Sequence, residues 1–208
     1  MITKLTHPTL IVICGWPASG KTTLAEKLRE TLTDPESKKI HLADIDQIRR
    51  TCLGMPYPHP NESDALMTKD KLEMGGAYVM LQHTIRWHLA KHRSLIATAT
   101  FSSRIGQEAL LRSYEEHFEN CMGKNEIPMA LRVVKCVPTS DTQKQVEDLF
   151  AKRAFGSEAY VGGVNSPERY FEVKERYHPI LLPHRTIRTW PTNDIENEWT
   201  EALEYIFS

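Results

Sequence analysis

The stretch that most constrains this chain is "TLIVICGWPASGKTTLAEKL", residues 9–28. Residues 9–14 form a run without a charge, dominated by Leu, Ile and Val. A strand that is apolar at every position has to be covered on both faces, the condition of a central strand in a parallel sheet rather than of a half-solvated antiparallel one. Glycine follows at once, and from Lys21 onward Leu24, Ala25, Leu28 and Leu32 recur at helical spacing. The chain is therefore expected to turn sharply from a buried strand into a helix that packs back against it.

The remainder repeats that alternation. "KIHLAD" (39–44) reads as a strand and "IDQIRRTCL" (45–53) as a helix, which "GMPYPHPNES", with three prolines in five residues, cannot continue. Residues 54–65 are thus expected to be a loop. Met74, Ala77, Leu81, Ile85 and Leu89 mark a long helix over about 68–92, with Gly75-Gly76 as a weak point or a close-packing contact. "SLIATATF" (94–101) and "ALRVVKCV" (130–137) read as strands around a helix at about 103–118. Helices over 139–155 and 166–177 flank the glycine-bearing "GSEAYVGGVNSPERY", and a last strand "RTIRTWP" precedes a last helix at 193–207. Five strands alternating with helices predict an α/β three-layer sandwich with a five-stranded parallel sheet. At 208 residues of ordinary composition, one domain over 1–208 is expected.

Composition excludes more than it assigns. Twenty-six Lys and Arg nearly cancel 27 Asp and Glu, so no global field attracts nucleic acid or an anionic membrane. No apolar run approaches the roughly 20 residues a membrane-crossing helix needs, and "MITKLTHPTL" lacks the apolar core of a secretory leader. A cytoplasmic location is expected. Cys14, Cys52, Cys121 and Cys136 form no CxxC pair and read as buried free thiols. Nine histidines raise a metal, but no HxxxH or HExxH spacing is expected to place two of them on one helical face, and a structural zinc site is set aside.

The glycine-bearing loop carries the chemistry. Residues 15–22, G-W-P-A-S-G-K-T, match the GxxxxGK[ST] pattern of P-loop nucleotide-binding proteins, between the strand and the helix that the pattern requires. Gly15, Trp16, Pro17, Ala18, Ser19, Gly20, Lys21, Thr22 and Thr23 are the candidate cradle for ATP. Loop amides and the N-terminal end of the helix favour phosphate oxygens. Lys21 is expected to span the β- and γ-phosphates, and the Thr22 hydroxyl to ligate Mg2+.

The segment after the second strand, Asp44-Ile45-Asp46-Gln47-Ile48-Arg49, resembles the D-x-D-x-x-R element of small P-loop kinases of the polynucleotide kinase, zeta-toxin-like and adenylylsulfate kinase-like group, the AAA_33-type kinases. The resemblance implies that Asp46 accepts the proton of an attacking hydroxyl. It implies that Arg49 holds an anionic or polar part of the acceptor and that Asp44 orients the Mg2+ shell. The chemistry is sound apart from the likeness, because an alcohol attacking a phosphoryl group needs a carboxylate in hydrogen-bond reach and guanidinium matches phosphate. Related kinases have a lid near "LFAKRAFGSEAYVGGVNSPERY". There Arg153 is the leading candidate to close on the triphosphate, with Lys152 and Arg169 next and glycines 156, 162 and 163 permitting movement. The resemblance thus divides the chain into a kinase core, an acceptor-side insertion at about 54–92 and a lid at about 153–169. Tyr57 and His59 are candidates for an acceptor-side wall, and Arg104 for an acceptor contact.

One position departs from the family. Where related kinases often end the third strand with Asp, "LIATATF" has Thr98, which puts the usual acidic metal ligand in doubt. The expected activity is transfer of the ATP γ-phosphoryl group to a hydroxyl of a small-molecule or nucleotide acceptor. The alternatives are an ATP-binding switch or scaffold without turnover, and a polynucleotide 5′-hydroxyl or nucleotide-sugar kinase, so that nucleic acid enters only as a 5′-end substrate. No membrane partner is expected.

Overall fold

The structure, a computed structural model, describes residues 2–53, 64–154, 166–189 and 195–208, with residues 50, 52, 53, 64–74 and 152–154 described as backbone only. In chain order the elements are β1 (Thr3–Lys4), β2 (Thr9–Gly15), α1 (Lys21–Thr31), β3 (Leu32–Thr33), β4 (His41–Asp44), α2 (Ile45–Leu53) and α3 (Asp64–Ala90). They continue as β5 (Leu95–Thr98), α4 (Arg104–Gly123), β6 (Ala130–Val137), α5 (Gln143–Ala154), α6 (Pro167–Glu175), β7 (Arg185–Arg188) and α7 (Ile195–Phe207).

Five strands form one parallel sheet in the order β4-β5-β2-β6-β7. The apolar run that opened the reading is its central strand, buried at all seven positions. Strand alternation divides the core into two. Leu10, Val12 and Cys14 face α3 and α4 through Ala77, Leu81, Ile85, Leu89 and Leu110. Ile11 and Ile13 face α1 and α7 through Leu24, Ala25, Leu28, Ala202 and Ile206. A helical layer thus lies on each side of the sheet. A third, smaller cluster of Val146, Phe150 and Tyr170 joins α5 and α6 and receives Ala18 of the β2–α1 loop.

Several boundaries differ from expectation. "SLIATATF" pairs only from Leu95 to Thr98, because the chain then leaves the sheet through Phe101 in the left-handed region at φ 48°. "KIHLAD" pairs only from His41, α4 runs on to Gly123, and β7 ends at Arg188. A parallel two-stranded sheet of β1 and β3 was not anticipated. Gly75 is no close-packing contact, since a Cβ there would meet nothing within 4 Å. The proline-rich 54–63 with Tyr57 and His59, and the stretch 155–165 with glycines 156, 162 and 163, lie outside the described residues. No helix among the described residues is long and apolar enough to cross a membrane.

Candidate functional site

Parallel strands in this order bring the ends of β2, β4 and β5 to one edge, where open α/β sheets collect ligands. Gly15 closes β2 at φ 129°, and a Cβ there would lie 2.0 Å from the Cys136 carbonyl oxygen of β6. Only glycine allows the loop to leave the sheet so close to its neighbour. Ala18 and Gly20 also take left-handed conformations, at φ 58° and 78°, and α1 begins immediately afterwards at Lys21. A non-glycine residue held in that region is strained by about 1–3 kcal/mol, a cost that tight packing around a binding loop can sustain. Ala18 is held against the cluster on α5 and α6.

The loop is preorganised but not internally satisfied. Lys21 Nζ donates to the Trp16 carbonyl at 2.6 Å, so the ammonium curls back over its own loop. Burial pulls the Lys21 pKa down, while the carboxylates of Asp46 and Asp44 pull it back up. Cys14 and Cys136 themselves stay neutral thiols, pushed up to about 12 by burial. Ser19 is fully buried, and its Oγ has no hydrogen-bond partner. An orphaned buried hydroxyl inside a glycine-framed loop, beside an ammonium, fits an oxyanion such as phosphate.

Asp44 is the hub of the edge. Its Oδ1 accepts from the amides of Asp46 at 2.9 Å and Gln47 at 3.0 Å, which caps α2. Its Oδ2 accepts from the Thr22 hydroxyl at 3.2 Å and from the Thr98 hydroxyl. The register makes this possible, since Asp44 lies opposite Thr98 in the β4–β5 ladder. Thr22 is exposed while Asp44 and Thr98 are buried, so a carboxylate stands behind a solvent-facing hydroxyl. Oxygen donors of this kind suit a hard cation such as Mg2+.

Asp46 is half-buried in the first turn of α2, and its charge acts on both Lys21 and Tyr78. Arg49 follows three residues later and is only 2% exposed, which excludes a solvated helix face for it. Arg153 lies within α5, but its side chain is outside the described residues, as is that of Lys152. Arg169 on α6 pairs with Glu172 at 2.5 Å. Arg104 pairs on the surface with Glu108 at 2.7 Å. Thr23 is exposed as the third residue of α1.

Two neighbours of the loop, and one residue packed behind the end of β5, escape a sequence reading. Thr189, just beyond β7, donates to the Ser19 carbonyl, and its Cβ lies 3.4 Å from where a Gly20 side chain would begin. Lys174 on α6 lies 4.7 Å above the Trp16 ring while paired with Asp141. Tyr78 on α3 hydrogen-bonds Thr100 at 3.0 Å and packs edge-on to Phe101, with burial raising its phenol pKa. These residues lie more than 50 positions from the loop in sequence, and no motif marks them.

The fold is shared with solved structures. A candidate kinase from Chloroflexus aurantiacus J-10-fl is 20% identical, with 96% of this chain and 98% of that one covered and a TM-score of 0.65. The Mycobacterium tuberculosis APS kinase CysC, solved with AMPPNP and APS, is 17% identical over 97% and 99% of the two chains, with a TM-score of 0.54. A gluconokinase from Sinorhizobium meliloti 1021 is 14% identical over 96% and 92%, with a TM-score of 0.53. At such identities the likeness establishes a P-loop kinase-like fold. No curated protein matches. The family model AAA_33, an AAA domain, matches residues 10–145, which span the loop, the D-x-D-x-x-R element and the three central strands, and the chain belongs to that family.

Proposed function

We propose that this protein is a Mg2+-dependent kinase that transfers the γ-phosphoryl group of ATP to a hydroxyl of a small-molecule or nucleotide acceptor. The observation that carries the reading is the placement of two carboxylates two residues apart, Asp44 on the Thr22 hydroxyl and Asp46 within the field of Lys21. Asp44 with Thr22 would hold Mg2+, which when bound neutralises charge on the phosphate oxygens. Lys21, with the backbone N–H groups of the loop other than at Pro17 and the Ser19 hydroxyl, holds the phosphates. Asp46 takes the proton of the acceptor hydroxyl, and Arg49 binds the acceptor. Arg153 closes from α5 in the lid over 153–169, and the insertion over 54–92 frames the acceptor. Phosphoryl transfer asks little covalent chemistry of a protein, so positioning and charge are what these residues supply.

Thr98 motivates a second reading, an ATP-binding switch or scaffold without turnover. Against it, the Thr98 hydroxyl donates to Asp44, so the edge still presents a carboxylate to Thr22 from the adjacent strand.

An ADP-release screen over sugars, nucleosides, nucleotide sugars and oligonucleotides with free 5′ hydroxyls separates these readings. Turnover with one acceptor class, lost in Lys21→Ala, is the expected result. Thermal stabilisation by Mg-ATP without ADP release for any acceptor would favour the switch, and no stabilisation at all would overturn both.

A further inference from the structure

At the opposite edge of the sheet from the phosphate loop, three soft or borderline ligands converge. α4 starts at Arg104 beside the candidate site and runs 20 residues, about 30 Å, to the far edge. There His117 and Cys121, one helical turn apart on one face of α4, are both buried. His92 approaches them from the turn that leaves α3. The Cys121 Sγ lies 3.5 Å from His92 Nε2 and 3.6 Å from His117 Nε2. The His92 and His117 rings stand 5.0 Å apart, and one ligand atom from each of the three residues falls within a 4.8 Å span.

The two S···N distances match the edges of a coordination tetrahedron. With Zn–S near 2.3 Å and Zn–N near 2.05 Å, a tetrahedral angle sets the S···N separation at about 3.6 Å. Glu126 lies outside that span, but its carboxylate oxygen is 3.7 Å from His92 Nε2 on a half-exposed side chain that can swing in as the fourth ligand. His92 takes the left-handed position that closes α3, where the His92 and Arg93 amides reach the Leu89 and His88 carbonyls, so the cap fixes its place beside α4. A cavity of about 370 Å³ lined by His92, His117, Cys121 and Glu126 gives a cation a way in.

We propose that His92, His117, Cys121 and Glu126 form a structural Zn2+ site that ties the turn before β5 to the end of α4. His117 already has a suitable tautomer. The Met129 amide can only donate, and it reaches His117 Nε2 at 3.1 Å, so the neutral ring carries its proton on Nδ1 and leaves the Nε2 lone pair to a ligand. Zn2+ takes that lone pair in place of the Met129 N–H, and the Cys121 thiol gives up its proton to solvent as the Zn–S bond forms. The mixed His-x3-Cys spacing carries the pair on α4. The His-x3-His pair of residues 88 and 92 does not act together, because α3 ends between them and His88 turns instead to His41 and the Arg93 carbonyl. This site is independent of the kinase reading.

The test is titration of metal-free protein with Co2+ and then Zn2+. One equivalent of Co2+ is expected to give the visible bands of tetrahedral cobalt with a thiolate charge-transfer band, and Zn2+ is expected to displace it and shift the Met129 amide resonance. Cys121→Ser should abolish the charge-transfer band and weaken Zn2+ at least about 100-fold. His92→Asn, which tolerates the left-handed backbone, should weaken Zn2+ while leaving that band, and it keeps the test open if Cys121→Ser folds poorly. Zn2+ should raise the melting temperature of Lys21→Ala as much as that of the wild type. Octahedral cobalt without a thiolate band, or Zn2+ affinity unchanged in both variants, overturns the proposal.

Discussion

The Thr98 hydroxyl on β5 donates to Oδ2 of Asp44 on β4, the same oxygen that accepts from Thr22 at 3.2 Å. A carboxylate at position 98 would face Asp44 across a single ladder rung, and two such charges repel at close range. The threonine therefore lets one buried carboxylate serve the edge without a metal ion to separate two. In Thr98→Asp the metal-free protein should lose about 1–3 kcal/mol, with one carboxyl of the pair retaining its proton. Mg2+ should restore most of that loss. Melting curves with chelator and with Mg2+ check it, and equal curves for variant and wild type would remove Asp44 from the metal shell.

Asp46→Asn keeps the α2 cap, because the capping oxygen belongs to Asp44 and the bond uses the residue-46 amide. Mg-ATP binding should persist, with a modest loss of stability because the Asp46 charge supports the buried Lys21 ammonium. Turnover should fall about 10²- to 10⁴-fold, the usual contribution of a positioned general base. Single-turnover ADP release with a productive acceptor is the measurement, and wild-type rates would reassign the base.

Lys21 carries a pH signature. Its folded-state pKa lies below its unfolded value because of burial, so the unfolded chain binds more protons between the two. Stability held back by the buried charge at neutral pH is thus recovered as pH rises through the folded pKa toward the usual lysine value. Lys21→Met should stabilise the nucleotide-free protein at pH 7, with a gain that shrinks as pH approaches the ordinary lysine range. The same variant should lose the melting-temperature increase that Mg-ATP gives. Denaturant titrations at several pH values test the first expectation and calorimetry the second.

Gly15→Ala should be among the most damaging single methyl additions in the molecule. Its Cβ would meet backbone atoms of Cys136 at 2.0 to 2.9 Å, and backbone cannot swing aside as a side-chain tip does. A loss above about 3 kcal/mol is expected, seen as poor soluble yield or a large drop in denaturation midpoint. A Gly75→Ala control, with open space around its Cβ, should be neutral or slightly stabilising in the helix.

Much of the architecture was legible because it rests on local rules. β2 was recognisable from an uncharged run and α1 from Leu24, Ala25 and Leu28, since burial on two faces and helical period each leave a mark in neighbouring residues. The sheet order was not legible. It depends on which crossovers pack best, and only the assembled core places β5 between β4 and β2. The candidate site divides along the same line. Gly15 to Thr22 and Asp44 to Arg49 are contiguous and could be read, whereas Thr189 just beyond β7 and Lys174 on α6 reach the loop through folding alone.

The histidines show the division most clearly. Spacing along α4 pairs His117 with Cys121, but spacing along α3 would equally pair His88 with His92, and the chain separates those two by ending the helix at Ala90. The sequence by itself determined a strand, loop and helix built for phosphate, a D-x-D-x-x-R turn and a parallel α/β fold, because each is set by interactions among residues close in the chain. Tertiary structure alone decided that Thr98 would donate to Asp44, that Lys174 would lie over Trp16, and that His92 would meet His117 and Cys121. Those contacts join residues 25 to 158 positions apart, and only packing of helices on the sheet sets such distances.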